Sequence, residues 1–371
     1  MHRKSKGDIT MKHIVPGVQF PLDTHERTES DFTELDRLYS GKKAYFGDFH
    51  AHAATGGTSD GETTLSEWKQ AMEKMNMDFV GIMDHRQVRH MYLDEFDPSF
   101  FLYGTEPAGV WHEPRLVFHY LMIFPQRGTL EKILEEFPDV FEFEGTSEGH
   151  FKYIRVDKNR FMQVKDAVIE AGGAFIHAHP KQQMESTNVD DFNFGDGTGM
   201  EIIYTTTFND PLNPHTVANY KLWTELLSKG VKMYNTATKD AHGAPGISGL
   251  NAVYAAEKHA SDIAMCVAKG NVNSGIAAVK MCIGEACVGA TAKYEDGMEL
   301  QLKVDDFHSS FDVAGNYRVD IITDKGIAYS APLTPDFAVS LKVKKRAFYR
   351  AEILRECDGA PMAIGNPIWL D

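Results

Sequence analysis

Short apolar runs alternate with helical patterns along the first two-thirds of the chain. Runs such as 79–83 and 174–178 have the length and composition of buried strands, while the apolar residues of 65–75 recur at the spacing of one helix face. This alternation predicts a parallel α/β fold that can close into a barrel. The predicted strands are 45–49, 79–83, 116–124, 174–178, 200–204 and 231–235, and the predicted helices are 31–39, 65–75, 162–171, 214–229 and 250–269.

The pattern changes to period two near residue 272. In 298–305 and 337–344, apolar residues alternate with polar ones, which is typical of half-buried antiparallel sheet. We therefore expect three parts: an N-terminal extension at 1–42, an α/β barrel at 43–271 and a C-terminal all-β sandwich domain at 272–371.

Charge and composition narrow the classes of partner. The formal net charge is −15, and no Lys/Arg-rich run is long enough to form a basic groove, so no nucleic-acid partner is expected. No segment approaches the ~20 apolar residues of a membrane span. The four cysteines form no Cys-x-x-Cys pair, so free thiols in a cytoplasmic protein are expected, with a Cys282–Cys287 disulfide as the alternative.

Histidines and carboxylates follow the ends of successive predicted strands. His50 and His52 lie two residues apart at a strand end, so both rings face one side. The ends of parallel strands converge on one face of a barrel. Imidazole and carboxylate suit zinc, iron and manganese, and burying so many polar groups costs several kcal/mol unless they are paired or metal-bound. The predicted metal ligands are His50, His52, Asp60, His85, Glu106, His119, His179, Asp240 and His242.

The order of these motifs resembles the PHP (polymerase and histidinol phosphatase) family. The resemblance covers about residues 43–245 and implies a distorted (β/α)7 TIM-like barrel with a trinuclear metal centre at its mouth. A looser likeness at 269–271 and 350–368 implies the sandwich appended to some members. The motifs are Asp48-Phe49-His50-Ala51-His52, Ser59-Asp60-Gly61, Asp84-His85, Gly104-Thr105-Glu106, His119, His179-Pro180 and Asp240-Ala241-His242.

The resemblance implies three ion sites, with Glu106, Asp240 and His242 as catalytic residues. The gap from His52 to Asp60 is longer than usual and contains Gly56-Gly57, which would shift the third ion. By site, the implied ligands are His50, His52, Glu106 and Asp240 for the first ion, Glu106, His119 and His179 for the second, and Asp60, His85 and His242 for the third.

Other residues beside the motifs are candidates for supporting contacts. Asp84 is placed to orient the ring of its neighbour His85. His177 precedes His179 by two residues, and is expected either to support the site or substrate or to be a plain packed histidine. The cations beside the motifs either clamp a phosphate or are surface charges; they are Arg86, Lys181 and Lys239.

The implied activity is hydrolysis of a small phosphomonoester with roughly two to three divalent ions (zinc, manganese or iron) per chain. A water between two ions about 3.5–4 Å apart would lose a proton near neutral pH and attack phosphorus. The long stretches 86–101 and 126–160 are expected to be loops that restrict the mouth and select the substrate. The alternatives are a hydrolase of an ester, lactone or amide, a nuclease-type phosphodiesterase, and a non-catalytic metal-binding module, against which the complete ligand set argues.

Overall fold

The computed structural model describes residues 12–13, 15–111, 116–143, 151–153, 158–180, 186–204, 212–244, 249–312 and 315–371. The helices are α1 Thr33–Tyr39, α2 Leu65–Met75, α3 Arg127–Glu136, α4 Lys158–Glu170, α5 Pro214–Ser228 and α6 Ala260–Ala268. The strands are β1 Lys12–His13, β2 Gln19–Phe20, β3 Lys43–Ala51, β4 Phe79–Ile82, β5 Tyr103–Thr105, β6 Ala108–Trp111, β7 Leu116–Phe124, β8 Phe141–Phe143, β9 Phe151–Tyr153, β10 Ala174–Ala178, β11 Gly199–Tyr204, β12 Tyr234–Thr238, β13 Asn251–Ala255, β14 Asn273–Gly275, β15 Ala277–Ile283, β16 Ala286–Cys287, β17 Thr291–Ala292, β18 Glu299–Phe307, β19 Tyr317–Thr323, β20 Gly326–Pro332, β21 Phe337–Lys342, β22 Phe348–Arg355, β23 Pro361–Gly365 and β24 Ile368–Leu370.

Curled sheet surrounds the end of β3. β3 pairs in parallel with β4, and β10, β11 and β12 pair in parallel with one another. Single bridges connect the two sheets, joining Val80 of β4 to Phe101, just before β5, on one side and Ala51 of β3 to Ala241, just after β12, on the other. The carboxyl ends of these parallel strands therefore lie near one another, as expected for the predicted barrel-like α/β unit.

One strand departs from the predicted parallel arrangement. β7 runs antiparallel to β5, β6 and β10. A continuous apolar run predicts a buried strand but carries no information on its direction. The fold is therefore mixed rather than purely parallel.

Helix α2 illustrates how local sequence positions a strand end. The Thr64 side chain accepts from the backbone N–H of Glu67, whose carboxylate accepts from the backbone N–H of Thr64, so a capping box starts the helix. Trp68 on its buried face donates from Nε1 to the carbonyl oxygen of His52 at 3.0 Å. The amphipathic pattern of α2 thereby fixes the backbone that carries a predicted ligand.

Two predicted elements were placed wrongly. The strand predicted at 231–235 lies at Tyr234–Thr238, where polar residues are buried and hydrogen-bonded. The helix predicted at 250–269 is instead β13 followed by α6, because β13 is a fully buried strand paired antiparallel with β3. A buried strand and a buried helix segment have the same continuous apolar pattern over so short a run.

The predicted loop stretches also contain regular structure. The region 126–160 carries α3, β8, β9 and the start of α4, while 86–101 contains a 3₁₀ turn at Arg89–Tyr92. Among the described residues, no helix is long and apolar enough to span a membrane.

The C-terminal strands build two sheets on one apolar core. β15, β16, β18 and β21 form a four-stranded sheet, while β14, β22, β23 and β24 belong to the sheet that contains β3 and β4. β14 pairs with both β13 and β23, so hydrogen bonds cross the predicted domain boundary between residues 271 and 272. The division into domains at this boundary stays a prediction. Cys282 and Cys287 face each other across β15 and β16 with free thiols.

Candidate metal centre

Glu106 lies at the middle of the histidine cluster. It follows β5 directly and is fully buried. Its carboxylate would be available to hold a metal ion together with the surrounding rings. The ring nitrogens around its two oxygens are those of His85 at 2.8 Å, His119 at 3.0 Å, His179 at 3.2 Å, His50 at 3.3 Å and His52 at 3.4 Å.

The ligand-type atoms fall into overlapping groups whose members lie within 4.8 Å of one another. One group matches the first predicted ion site, and another matches the third predicted site with His52 added. The group nearest to the second predicted site contains His85 instead of His179. His179 lies in a separate group with His50. The groups are His50, His52, Glu106 and Asp240; His52, Asp60, His85 and His242; His85, Glu106 and His119; and His50, His179 and Glu201.

Backbone strain marks three positions around the cluster. Arg86, His179 and Asp240 adopt left-handed φ angles of 53°, 26° and 51°, which are unfavourable for residues with a side chain. Such strain persists only where the surrounding contacts hold it, and it collects at functional sites. Asp240 is held by the Thr238 hydroxyl, which accepts from its N–H at 2.8 Å.

Opposite charges dominate the electrostatics of the buried groups. Burial alone would raise the pKa of Glu106, but the surrounding rings, His50 first, hold it well below its usual value. Burial alone would lower the pKa of His50, but the carboxylates of Glu106, Glu201 and Asp240 raise it well above its usual value. The cavity therefore favours positive charge, supplied by protons or by metal cations.

Several buried ligand atoms have no hydrogen-bond partner among the described residues. An unsatisfied buried polar atom costs about 1–3 kcal/mol, and a bound cation removes that cost. With donors that are all imidazole nitrogen or carboxylate oxygen, the residues fit divalent zinc, manganese or iron. Nδ1 of His52 and Nδ1 of His179 make no hydrogen bond, and Nε2 of His50 and Oε2 of Glu106 have only the ring–carboxylate contacts given above, without good hydrogen-bond geometry.

Glu201 is a member of the cluster that the motif analysis missed. It is fully buried on β11 and accepts from His50 Nδ1 at 2.9 Å and from the backbone N–H of His179 at 2.7 Å. Its sequence signal is a single carboxylate inside the apolar strand Met-Glu-Ile-Ile-Tyr. A buried, unpaired carboxylate is costly, so its position alone indicates a partner.

Asp48 supports the same region from β3. Its carboxylate accepts from the backbone N–H groups of His50 and Lys239. Burial raises the pKa of Asp48 to about 8. The residue therefore joins the ends of β3 and β12.

The predicted supporting residues have different surroundings. Asp84 accepts from the backbone N–H of Ala53, in the segment before Asp60, and lies 3.6 Å from His90. Burial alone would raise the pKa of Asp84, but His90 and these hydrogen bonds lower it to about 2. Its contacts thus position a loop rather than the ring of His85.

His177 has the contacts of a packed histidine. Its ring lies stacked 4.6 Å from Phe194 and 5.9 Å from Phe192, and neither ring nitrogen has a described partner. Burial, followed by the nearby rings of His179 and His119, holds its pKa well below the usual value. Because β10 ends at Ala178, the alternation that would place the two rings on one side does not extend to His179.

Two of the three predicted phosphate-binding cations lie among the described residues. Arg86 is exposed directly after the ligand His85, and Lys239 is half-buried directly before Asp240. Lys181 lies outside the described residues.

Comparisons with known proteins give matches among solved structures. No family model and no curated protein matches the sequence. Among solved structures, a two-domain protein from Bacteroides vulgatus with a predicted PHP-like metal-dependent phosphoesterase matches at 12% identity and a TM-score of 0.39, covering 93% of this chain and 98% of that one. A protein from Bifidobacterium adolescentis assigned as a metal-dependent phosphoesterase matches at 17% identity and a TM-score of 0.35, over 55% of this chain and 90% of that one.

The chain is similar to PHP-like metal-dependent phosphoesterases. Solved structures of PHP-like metal-dependent phosphoesterases are thus among the proteins that this chain matches, in line with the resemblance drawn from the motifs. At below 25% identity and a TM-score below 0.5, these likenesses carry no conclusion on activity or substrate.

A third match corrects one expectation. The lesion-specific endonuclease Q from Pyrococcus furiosus matches at 12% identity and a TM-score of 0.40, and this chain spans just over half of it, 56%, with 61% of its own length. Excluding nucleic acid from net charge and the lack of a basic run was therefore wrong. Net charge describes the whole surface, whereas local charge at a metal site decides which anions bind.

Proposed function

We propose that the protein is a metal-dependent phosphoesterase that hydrolyses a small phosphomonoester at the mouth of a distorted (β/α)7 barrel. The observation that carries the proposal is the fully buried Glu106 carboxylate, surrounded by five histidine rings at 2.8–3.4 Å. The proposed ligands are His50, His52, Asp60, His85, Glu106, His119, His179, Asp240 and His242.

Divalent ions in this cluster would supply positive charge for a phosphoryl group and lower the pKa of a nearby water. The protein's own contribution is to hold its donors in place. Glu201 fixes the His50 ring through Nδ1, so that Nε2 points towards Glu106 and Asp240. The backbone oxygen of Asp240 holds His242 through Nδ1 at 2.9 Å.

The side chains of the cluster differ in their exposure to solvent. The side chains of His50, His52 and Glu106 are fully buried, whereas those of Asp60 and His242 are 56% and 38% exposed. A substrate is therefore expected to approach beside Asp60 and His242. Arg86 and Lys239 adjoin ligands at this end of the strands and would attract an anion in an otherwise acidic protein.

The proposal is tested by measuring phosphate release from a panel of phosphomonoesters with added Mn²⁺ or Zn²⁺. Carboxylic esters, lactones and oligonucleotides are assayed in parallel at equal enzyme concentration. Glu106→Gln removes the central charge, and Glu225→Gln, at an exposed position on α5, is its matched control. Metal-dependent phosphate release that Glu106→Gln alone abolishes is expected. Ester or lactone hydrolysis without phosphate release, or oligonucleotide cleavage without monoester turnover, would refute the proposed substrate class.

A further inference from the structure

The loop 53–61 connects two parts of the ligand cluster. It begins after His52, which belongs to two ligand groups, and it carries Asp60, which belongs only to the group with His85 and His242. We call the group of His52, Asp60, His85 and His242 the loop group. The position of Asp60 thus depends on the course of the loop.

The loop is folded around the buried side chain of Gln87. Its Nε2 donates to the Thr55 hydroxyl at 2.7 Å and to the Gly56 carbonyl at 2.8 Å. Its Oε1 accepts from the backbone N–H of Thr58 at 3.1 Å. One side-chain amide therefore satisfies backbone and side-chain groups on both sides of the double glycine, and it does so without contacting a ligand atom.

Asp84 supports the two ends of the same loop. Its Oδ1 accepts from the backbone N–H of Ala53 at 2.9 Å and from the Ser59 hydroxyl at 3.0 Å. Ser59 immediately precedes Asp60. The loop is thus held at its start, its centre and the residue before the ligand.

The glycine at 57 is required by this arrangement. Its φ angle is +66°, and an added Cβ would lie 2.3 Å from Gln87 Oε1 and 3.0 Å from Arg89 Nη1. A side chain there would collide with the Gln87 amide, so the loop and Gln87 would have to move apart and the hydrogen bond from the Thr58 N–H to Gln87 Oε1 would be disturbed. By contrast, Gly41 has a φ of +74° with nothing within 4 Å of an added Cβ, so it offers the same backbone strain without the collision.

The loop group differs in exposure from the buried ligands. The side chains of Asp60, His85 and His242 are 56%, 22% and 38% exposed, whereas those of His50 and Glu106 are fully buried. An ion in the loop group would therefore lie closer to solvent, and it would depend on a carboxylate whose backbone is part of the loop.

We propose that Gln87 is a positioning residue that holds Asp60 in the loop group and thereby controls occupancy of that group separately from the buried ligands. The proposal rests on the proposed function, since it requires that the cluster binds ions. The Gln87 side chain acts on Asp60 through its hydrogen bonds to the loop, and its loss leaves every proposed ligand side chain in the sequence.

The test counts ions per chain by elemental analysis after dialysis against a fixed chelator concentration. Gln87→Met keeps the approximate volume and removes the hydrogen bonds, and Gly57→Ala displaces the loop while keeping every polar group. Asp60→Asn is the reference for loss of the loop-group ion, and Gly41→Ala is the control for backbone strain. Circular dichroism verifies that each variant is folded.

Gln87→Met and Gly57→Ala are expected to lose one ion equivalent, as Asp60→Asn does, while Gly41→Ala keeps the wild-type content. Wild-type ion content in both loop variants, or loss of all ions together from folded protein, would overturn the proposal. If Gln87→Met does not fold, Gly57→Ala decides alone. A wild-type protein that binds no ion would refute the proposed function itself. A wild-type protein that binds ions, with loop variants that do not selectively lose one of them, would refute only the role of Gln87.

Discussion

Replacing Glu201 by glutamine should weaken metal binding, although Glu201 belongs to none of the sequence motifs. The carboxylate accepts two hydrogen bonds, from His50 Nδ1 at 2.9 Å and from the backbone N–H of His179 at 2.7 Å. An amide has one oxygen and one NH₂ group. If the NH₂ group faces the His179 N–H, that donor loses its acceptor; if it faces His50 Nδ1, the bond survives only when Nδ1 accepts, which places the ring proton on Nε2, the atom that faces Glu106 and Asp240.

The magnitude follows from two independent estimates. A hydrogen bond to a charged group contributes about 1.5–3 kcal/mol. Removing the outer partner of a metal-binding histidine typically costs about 10–100-fold in metal affinity, or about 1.4–2.8 kcal/mol at 1.4 kcal/mol per tenfold change. The two ranges overlap, so we expect a loss of affinity of one to two orders of magnitude.

Metal affinity is measured by competition with a chromophoric chelator, and the free energy of unfolding of the metal-free protein by urea titration. Glu225→Gln makes the same chemical change at an exposed position of α5 and should leave both quantities unchanged. Equal metal affinity in Glu201→Gln and Glu225→Gln would show that the carboxylate does not orient His50, and would refute the reasoning.

Three further outcomes are expected. Glu106→Ala should lose metal and nearly all turnover, because its carboxylate lies near five histidine rings; retained ion content would contradict its bridging position. His177→Phe should keep the wild-type ion content, since His177 packs among phenylalanines; loss of an ion would make it a ligand. Burial alone would lower the pKa of His50 and His179, but nearby carboxylates raise it above 6.5. Protons should therefore displace metal as the pH falls, starting above the pH at which an ordinary histidine titrates. A metal affinity that does not change between pH 8 and pH 6 would argue against this.

The ligand positions follow from the sequence because they depend on a local rule. His50 lies at the end of β3 and His52 directly after it, and Asp240 and His242 follow β12, so convergence of the strand ends brings these residues together. The departures arise where a contact is non-local. Glu201 was missed because its partners are 151 and 22 residues away, although a carboxylate within an apolar strand was visible in the sequence.

The fold errors have the same origin. β7 has the apolar composition expected of any buried strand, and only its hydrogen bonds to β5 and β10 show that it is antiparallel. β12 was displaced by three residues because it is polar: the Asn235 backbone and side chain donate to Asn366, a partner 131 residues away. A hydrophobic pattern detects strands that are buried because they are apolar. It misses a strand such as β12, whose polar residues are buried because they form hydrogen bonds.

The direct test of a multinuclear metal centre is elemental analysis of protein purified without chelator and then reconstituted with zinc, manganese or iron. The geometry around Glu106 predicts roughly two to three divalent ions per chain. Binding should be lost in Glu106→Ala and kept in Glu225→Gln. Less than one ion per chain after reconstitution would contradict the metal centre, and with it the proposed hydrolase.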